Sequence, residues 1–253
     1  MRHIIIHYHI FKNAGTTIDA ILKQSFPETW TAFDTDTPSA SIDPVTLERY
    51  IEASPSVVVL SSHQARLPIP SSATIKAYPL VFLRHPIDRV ASIYHYLRRL
   101  PDSLPRPAIA FAKSHSMADF IIWRLQKEHG AVIRNFQTVF LSGDSRDVRQ
   151  SESSSDHLIA AKSQLAALPF FGLVEAFDTS VQKMQDFLAP AFGKINTQYS
   201  PLNTNKLRSG TLDERLQQLR IELGESIYNQ LLEANSHDIA LYTHAQSLFF
   251  SKL

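Results

Sequence analysis

The 253 residues contain no cysteine. The fold therefore forms without disulfides, and the redox compartment is left open in both directions. An excess of one charge is missing too: 25 Lys and Arg stand against 24 Asp and Glu, a formal net charge of +1. Together with the lack of any lysine and arginine run, this excludes a general electrostatic footprint for nucleic acid and a basic tail for DNA or acidic lipid. Small-molecule partners are expected instead. The chain opens directly on a strand holding three histidines, which is neither a signal peptide nor a membrane span and predicts a cytoplasmic protein. There is no internal repeat and no linker. With 44% hydrophobic and 19% charged residues, the composition suits one soluble α/β domain over residues 1–253.

What is present is concentrated at the N-terminus, in HIIIHYHIFKNAGTT from His3 to Thr17. Ile4, Ile6, Tyr8 and Ile10 share one face of an extended segment and Ile5 adds apolar surface to the other, as in a strand covered on both sides. From Thr17 the spacing turns helical through Ile18, Ile21 and Leu22. The loop Phe11–Thr16 thus presents backbone N–H groups at a helix N-terminus, where unpaired donors and the helix dipole favour an anion. Gly15 allows close approach, Lys12 adds a positive charge, and Thr16 and Thr17 add hydroxyl donors. Gly-x-x-x-x-Gly-Lys-Ser/Thr is absent, and the lysine precedes the glycine, so this is not a Walker A loop.

Further strands are expected at Val57–Leu60, ending in Ser61-Ser62-His63, and at Pro79–Leu83, ending in Arg84-His85-Pro86. Phe26–Pro44 reads as a short edge element with an exposed loop, and Asp43-Pro44 starts a helix to about Ala53. In an open parallel sheet the ligand lies beyond the carboxyl ends of the strands, which brings Lys12, His63 and Arg84 to one edge. Pro86 begins a helix with Ile87, Val90, Tyr94 and Leu97 on its apolar stripe, and Arg84 and Ser92 converge on one spot suited to a phosphate monoester. Beyond it come a helix over Ser116–Glu128, a serine- and charge-rich surface loop at Gly143–Asp156 with no expected place in catalysis, and a buried strand at Phe170–Val174. Asp178 or Thr179 then caps a helix to about Leu188, Gly193–Gly210 is irregular, and a helical C-terminal part runs from Leu212.

Lys12-x-x-Gly15-Thr16-Thr17 after a strand resembles the 5′-phosphosulfate loop of sulfotransferases that use 3′-phosphoadenosine 5′-phosphosulfate (PAPS), above all the carbohydrate (heparan/uronyl) 2-O-sulfotransferase branch and its bacterial relatives. Phe11 and Asn13 depart from that loop's usual Pro-Lys-Thr. LVFLRHPIDRVASIYHY resembles the same family's 3′-phosphate motif through Arg84, Pro86, Arg89 and Ser92, with His85 where Asp is common. Ser62-His63-Gln64-Ala65-Arg66 resembles its Gly-His-x-x segment carrying the catalytic base, with Ser62 where glycine is usual. Asn135-Phe136-Gln137-Thr138 resembles a stretch near its acceptor site, and Asn203–Arg208 a loop that covers the nucleotide.

The resemblance implies a P-loop nucleotide-kinase-like, three-layer α/β fold with a central parallel sheet. It also implies sulfuryl transfer from PAPS, without a metal, to a hydroxyl acceptor that is most plausibly a carbohydrate. Lys12 and His63 would be catalytic. Lys12, Asn13, Ala14, Gly15, Thr16, Thr17, Arg84, Ser92, Lys206 and Arg208 would hold the nucleotide. Acceptor contacts are expected from Thr31–Pro44, Arg66–Ile75 and Pro101–Met117. A bare catalytic domain fits a bacterial-type protein.

Plainer roles stay open: an ordinary strand-to-helix turn at Lys12–Thr17, a salt bridge of Arg84 to Asp88, a surface Ser92, a structural His63. An ATP- or GTP-using phosphotransferase and a non-catalytic nucleotide-binding module are the alternatives. His7 and His9 lie two apart on one strand face, but no third ligand has telling metal spacing.

Overall fold

The computed structural model describes residues 1–38, 40–104, 106–199 and 210–251. A five-stranded sheet is built from β1 (Arg2–Tyr8), β2 (Trp30–Ala32), β3 (Val59–Ser62), β4 (Ile75–Leu83) and β5 (Gly172–Leu173). Its order is β2-β3-β1-β4-β5, and every pairing is parallel. Parallel neighbours require crossovers, supplied by α1 (Gly15–Ser25), α2 (Pro44–Ala53), α3 (Pro86–Arg99), α4 (Pro107–Ser114), α5 (Met117–Leu125), α6 (Phe136–Leu141) and α7 (Ser155–Ala167). The helices α8 (Phe177–Phe192), α9 (Leu212–Ala234) and α10 (Ser236–Ser251) complete the described chain. This is the P-loop-like three-layer α/β fold that the motifs imply.

The pleat of β1 sorts the layers. Ile4, Ile6, Tyr8 and Ile10 pack with α2, α6, α7 and α10, whereas Ile5 packs with Ile18, Ile21 and Leu22 of α1 and Val181, Met184 and Leu188 of α8. Each fully buried isoleucine contributes about 2 kcal/mol. A one-residue slip would exchange the two faces, which fixes the register Ile5↔Val59 and Ile5↔Tyr78. A third apolar cluster joins α3, α4, α5 and α9.

Local chemistry sets the helix ends. Asp43 accepts from the amides of Val45 and Thr46, both at 2.9 Å, with Pro44 at the first helical position. Ser154 and Thr211 form capping boxes on α7 and α9, and Gly224, at φ 72°, kinks α9.

Several boundaries differ from expectation. β4 starts at Ile75 because its pairing with β1 reaches back to Arg2↔Ile75, whereas a proline without an N–H reads as a strand start at Pro79. β3 runs from Val59 to Ser62 and takes in both serines that read as its end. β5 keeps only two residues, because Phe170 and Phe171 are spent on core packing outside the ladder. α5 stops at Leu125 and a 3₁₀ turn follows at Lys127–His129. α8 starts at Phe177 with Ala176 at its cap, so neither Asp178 nor Thr179 caps it; Asp178 instead accepts from the Tyr199 hydroxyl. No helix among the described residues is long and apolar enough to cross a membrane.

Candidate active site

β1 is flanked by β3 and β4, so the chain leaves the sheet's centre at a point where the strand order reverses, the usual place for a ligand in such folds. The turn there is made by Lys12 at φ 67° and Ala14 at φ 61°. A left-handed non-glycine residue costs about 1–2 kcal/mol, and such strain is held where surrounding structure over-determines it. Asn13 is the anchor: fully buried, it donates from Nδ2 to the Phe82 carbonyl at 2.8 Å and to Gln137 Oε1 at 2.7 Å. Its side chain therefore ties the loop to β4 and α6 and is not among the cavity-lining residues. Gly15 lines the cavity and has a packing role besides. Its φ is not left-handed, but a Cβ there would lie 2.1 Å from the His9 ring, so glycine makes room for an imidazole. The amides of Gly15 and Thr16, first in α1, have no intrahelical acceptor.

A cavity of about 1000 Å³ opens on this edge. Lys12, Ala14, Gly15, Thr16, Thr17, His63, Arg84 and Ser92 all line it, so eight of the eleven residues singled out from the sequence meet there. Lys206 and Arg208 lie outside the described residues.

Arg84 is ordered by Asp88, which is fully buried and takes Nε at 2.7 Å and Nη2 at 2.6 Å, while Nη1 donates to the Lys12 carbonyl at 3.1 Å. The plainer salt bridge thus exists, and it fixes a guanidinium that still borders the cavity and has two of its five N–H groups to spare. The other oxygen of Asp88 holds Arg215 of α9 at 2.9 Å, also on the cavity wall. The second arginine of the motif is turned inward: Arg89, on the buried side of α3, lies against the Phe136 ring and donates to the Val132 carbonyl at 2.6 Å. His85 receives Glu175 on its backbone N–H and rests its ring on Tyr242, away from the cavity.

The histidines form a chain that sequence reading left unassembled. His7 and His9 share Asp19, Nδ1 to Oδ1 at 2.8 Å and Nδ1 to Oδ2 at 3.0 Å. Burial pushes the Asp19 carboxyl up, but the two imidazoles outweigh it and hold it well below the ordinary carboxylate range. The His9 ring lines the cavity 3.9 Å from the ring of His63. His63 Nδ1 lies 3.0 Å from the His9 carbonyl. A carbonyl only accepts, so Nδ1 carries the proton and Nε2 of the neutral ring is left as a base. Burial and the nearby His9 lower the pKa of His63 from its usual 6.5. Asp34 fixes the turn by accepting from Ser62 Oγ, the His63 amide and the Gln64 amide, at 2.9, 2.9 and 3.1 Å. His7, His9 and Asp19 could also enclose a cation, but each Nδ1 already has a carboxylate oxygen at hydrogen-bond distance.

Two other expectations change. Gln137, from the stretch read as near the acceptor, faces away from the cavity and clamps Arg84 by its amide at 3.0 Å and its carbonyl at 2.9 Å; Phe136 and Phe140 are the residues of α6 that line the cavity. The 143–156 segment, expected to be surface only, returns Asp147, Val148 and Arg149 to the cavity wall, with Val148 buried in the core. The three loops expected to meet an acceptor each contribute, through Asp34 and Thr35, Arg66, and Arg106 and Ala108.

The fold and this edge define an open parallel α/β protein with a strand-to-helix loop and a cavity at the head of its first helix. No protein-family model matches the chain. It is 30% identical over 254 residues to an uncharacterized protein of Archaeoglobus fulgidus, a match covering 98% of each, and it belongs to the same family as that protein. Among solved structures it is similar to a crystal structure of mouse sulfotransferase SULT7A1 complexed with PAP, at 15% identity and a TM-score of 0.38. That match covers 89% of this chain and 64% of the mouse protein, and at this level the chemistry rests on this chain's own geometry.

Proposed function

We propose that the chain is a PAPS-dependent sulfotransferase that acts as one unit and moves a sulfuryl group to a hydroxyl, most plausibly on a carbohydrate. The observation that carries this reading is the convergence of Lys12 and Ala14–Thr17 at the head of α1, Arg84 just before α3, Ser92 on α3, and His63 on a single cavity.

Sulfuryl transfer, like phosphoryl transfer, depends on in-line positioning and on neutralising charge at the leaving oxygen. The amides at the head of α1, with Thr16 and Thr17, suit the 5′-phosphate of the donor. Lys12 suits the bridging oxygen, where negative charge grows as the S–O bond breaks. Arg84 and Ser92 suit the 3′-phosphate that distinguishes PAPS from ATP. His63 Nε2 takes the proton of the acceptor hydroxyl as its oxygen bonds to sulfur, and 3′-phosphoadenosine 5′-phosphate (PAP) leaves. No residue in this scheme needs a metal.

Calorimetric titration with PAP against 5′-AMP and ATP tests the reading. Micromolar-range binding that requires the 3′-phosphate and is lost in Arg84→Ala supports it. Tighter binding of ATP with Mg²⁺ would assign the loop to a phosphotransferase, and PAP binding without turnover of any acceptor would leave a nucleotide-binding module.

A further inference from the structure

Phe11 stands where the resembling phosphosulfate loops carry proline, and its contacts give it a task. Its ring packs against two of the apolar clusters at once and meets the Tyr96 ring at 5.7 Å, nearly perpendicular at 76°. Tyr96 lies on α3 one turn beyond Ser92, so both side chains share the helix face that borders the cavity. Lys12 Nζ sits over the Tyr96 ring, 4.3 Å from its centre.

The contact meets a need of the loop. The left-handed backbone at Lys12, the bond from Arg84 Nη1 to its carbonyl and the Asn13 anchor all fix the main chain, and none of them reaches the four-carbon stem. A lysine stem left to itself samples many rotamers and carries its ammonium toward water. The cavity around it is lined by seven arginines against two aspartates among the described residues, a field that repels a further cation. The face of an aromatic ring is negative and attracts an ammonium, more strongly where water is partly excluded. A carboxylate in that place would cancel the charge, whereas a ring holds the ammonium and leaves its charge available to a ligand.

We propose that Tyr96, braced by Phe11, is the positioning residue of Lys12. The ring keeps the ammonium on the Ser92 side of the cavity, ready for the negative charge that grows on the bridging oxygen of a bound donor. The proposal rests on the sulfotransferase reading for the task of Lys12, and it gives a role to a residue that the motifs left without one.

The test follows PAP release from PAPS with water as the acceptor, so that no other acceptor need be known. The bond from sulfur to the 5′-phosphate oxygen breaks, the water oxygen bonds to sulfur, its protons pass to solvent, and sulfate and PAP leave. Tyr96→Leu keeps an apolar side chain without the ring and should lower the rate constant about three- to tenfold, with PAP affinity within about twofold. Tyr96→Phe should recover most of the rate, since the ring face and not the hydroxyl holds the ammonium. In a Lys12→Ala background, Tyr96→Leu should cost less than about twofold more, because residues that act through one contact are not additive. An unchanged rate in Tyr96→Leu, a Tyr96→Phe variant equally slow, or the full loss repeated without Lys12 would each overturn the proposal, the last by marking a packing role.

A second readout needs no turnover and decides alone if Tyr96→Leu does not fold. In lysine-labelled protein, the NMR signals of the Lys12 ε-methylene, identified by their absence from Lys12→Arg, should lie upfield through the Tyr96 ring current. Inorganic pyrophosphate should return them downfield as it draws the ammonium away. Unshifted signals, or a shift that pyrophosphate leaves in place, overturn the proposal even where PAPS is consumed. If no variant consumes PAPS, the sulfotransferase reading falls, whereas an upfield shift that pyrophosphate reverses upholds Tyr96 as the residue that holds Lys12 for an anion.

Discussion

At the scale of single residues, the site works by pinning charged groups with neighbours that do no chemistry. His63→Ala should leave PAP affinity intact and lower turnover about 10²-fold or more, measured by titration beside a steady-state assay; loss of both would mark a structural histidine. Because burial and His9 lower the pKa of His63, the acid limb of its turnover should fall below pH 6.5, with a plateau through neutrality. The same shift has a consequence for stability. Protons bind more readily to the unfolded chain between the folded pKa and 6.5, so this contribution is complete above pH 6.5 and is lost as pH falls through that window. Gly15→Ala would drive a Cβ into the His9 ring at 2.1 Å, and a loss of about 1–3 kcal/mol in denaturant unfolding is expected, with turnover impaired as His9 moves against His63. Lys12→Ala should act chiefly on rate, since its attraction grows with charge on the leaving oxygen.

At the scale of elements, the short helix α6 carries more of the site than its six residues suggest. Its Gln137 holds both the loop after β1, through Asn13, and the loop after β4, through the backbone of Arg84. The helix is held in turn by Asp238 of α10, whose oxygens accept from the amides of Gln137 at 3.1 Å and Thr138 at 2.7 Å. Asp238 is fully buried, so Asp238→Ala strands two amides and should cost about 3 kcal/mol in chemical unfolding. Because the loops after β1 and β4 both hang on α6, PAP affinity should fall as well if they hold the nucleotide as proposed. An unchanged affinity in a folded variant would show that the loops hold their shape without the clamp. Asp88 plays a comparable part between α3 and α9.

At the scale of the whole molecule, a nearly neutral chain places seven arginines against two aspartates around one cavity among the described residues. Anionic ligands should therefore bind with a marked salt dependence, and nucleotide should stabilise the fold by mass action. Saturation with PAP at about 100 times its dissociation constant should raise the unfolding free energy by about 2.7 kcal/mol, seen as a higher melting temperature that 5′-AMP does not reproduce.

The order of the strands along the chain, the helices α1, α2, α3, α5, α8 and the helical C-terminal part, the strand-to-helix loop at Lys12–Thr17 and the convergence of Lys12, His63 and Arg84 followed from sequence alone, whereas α6 and α7 did not. Apolar periodicity, proline and cap residues act over a few positions, and strand ends in a parallel sheet share one edge. Tertiary structure alone decided which side chains face the cavity. Asn13, Arg89 and Gln137 look like site residues by position, but they are buried, and their polar groups must find backbone partners. Asp19 and Arg149 join the site from positions carrying no motif, because their roles depend on contacts such as those of Asp19 with His7 and His9 and of His9 with His63, between segments that only the folded sheet brings together. Local sequence sets each segment's conformation; burial, which depends on every other segment, sets what each side chain does there.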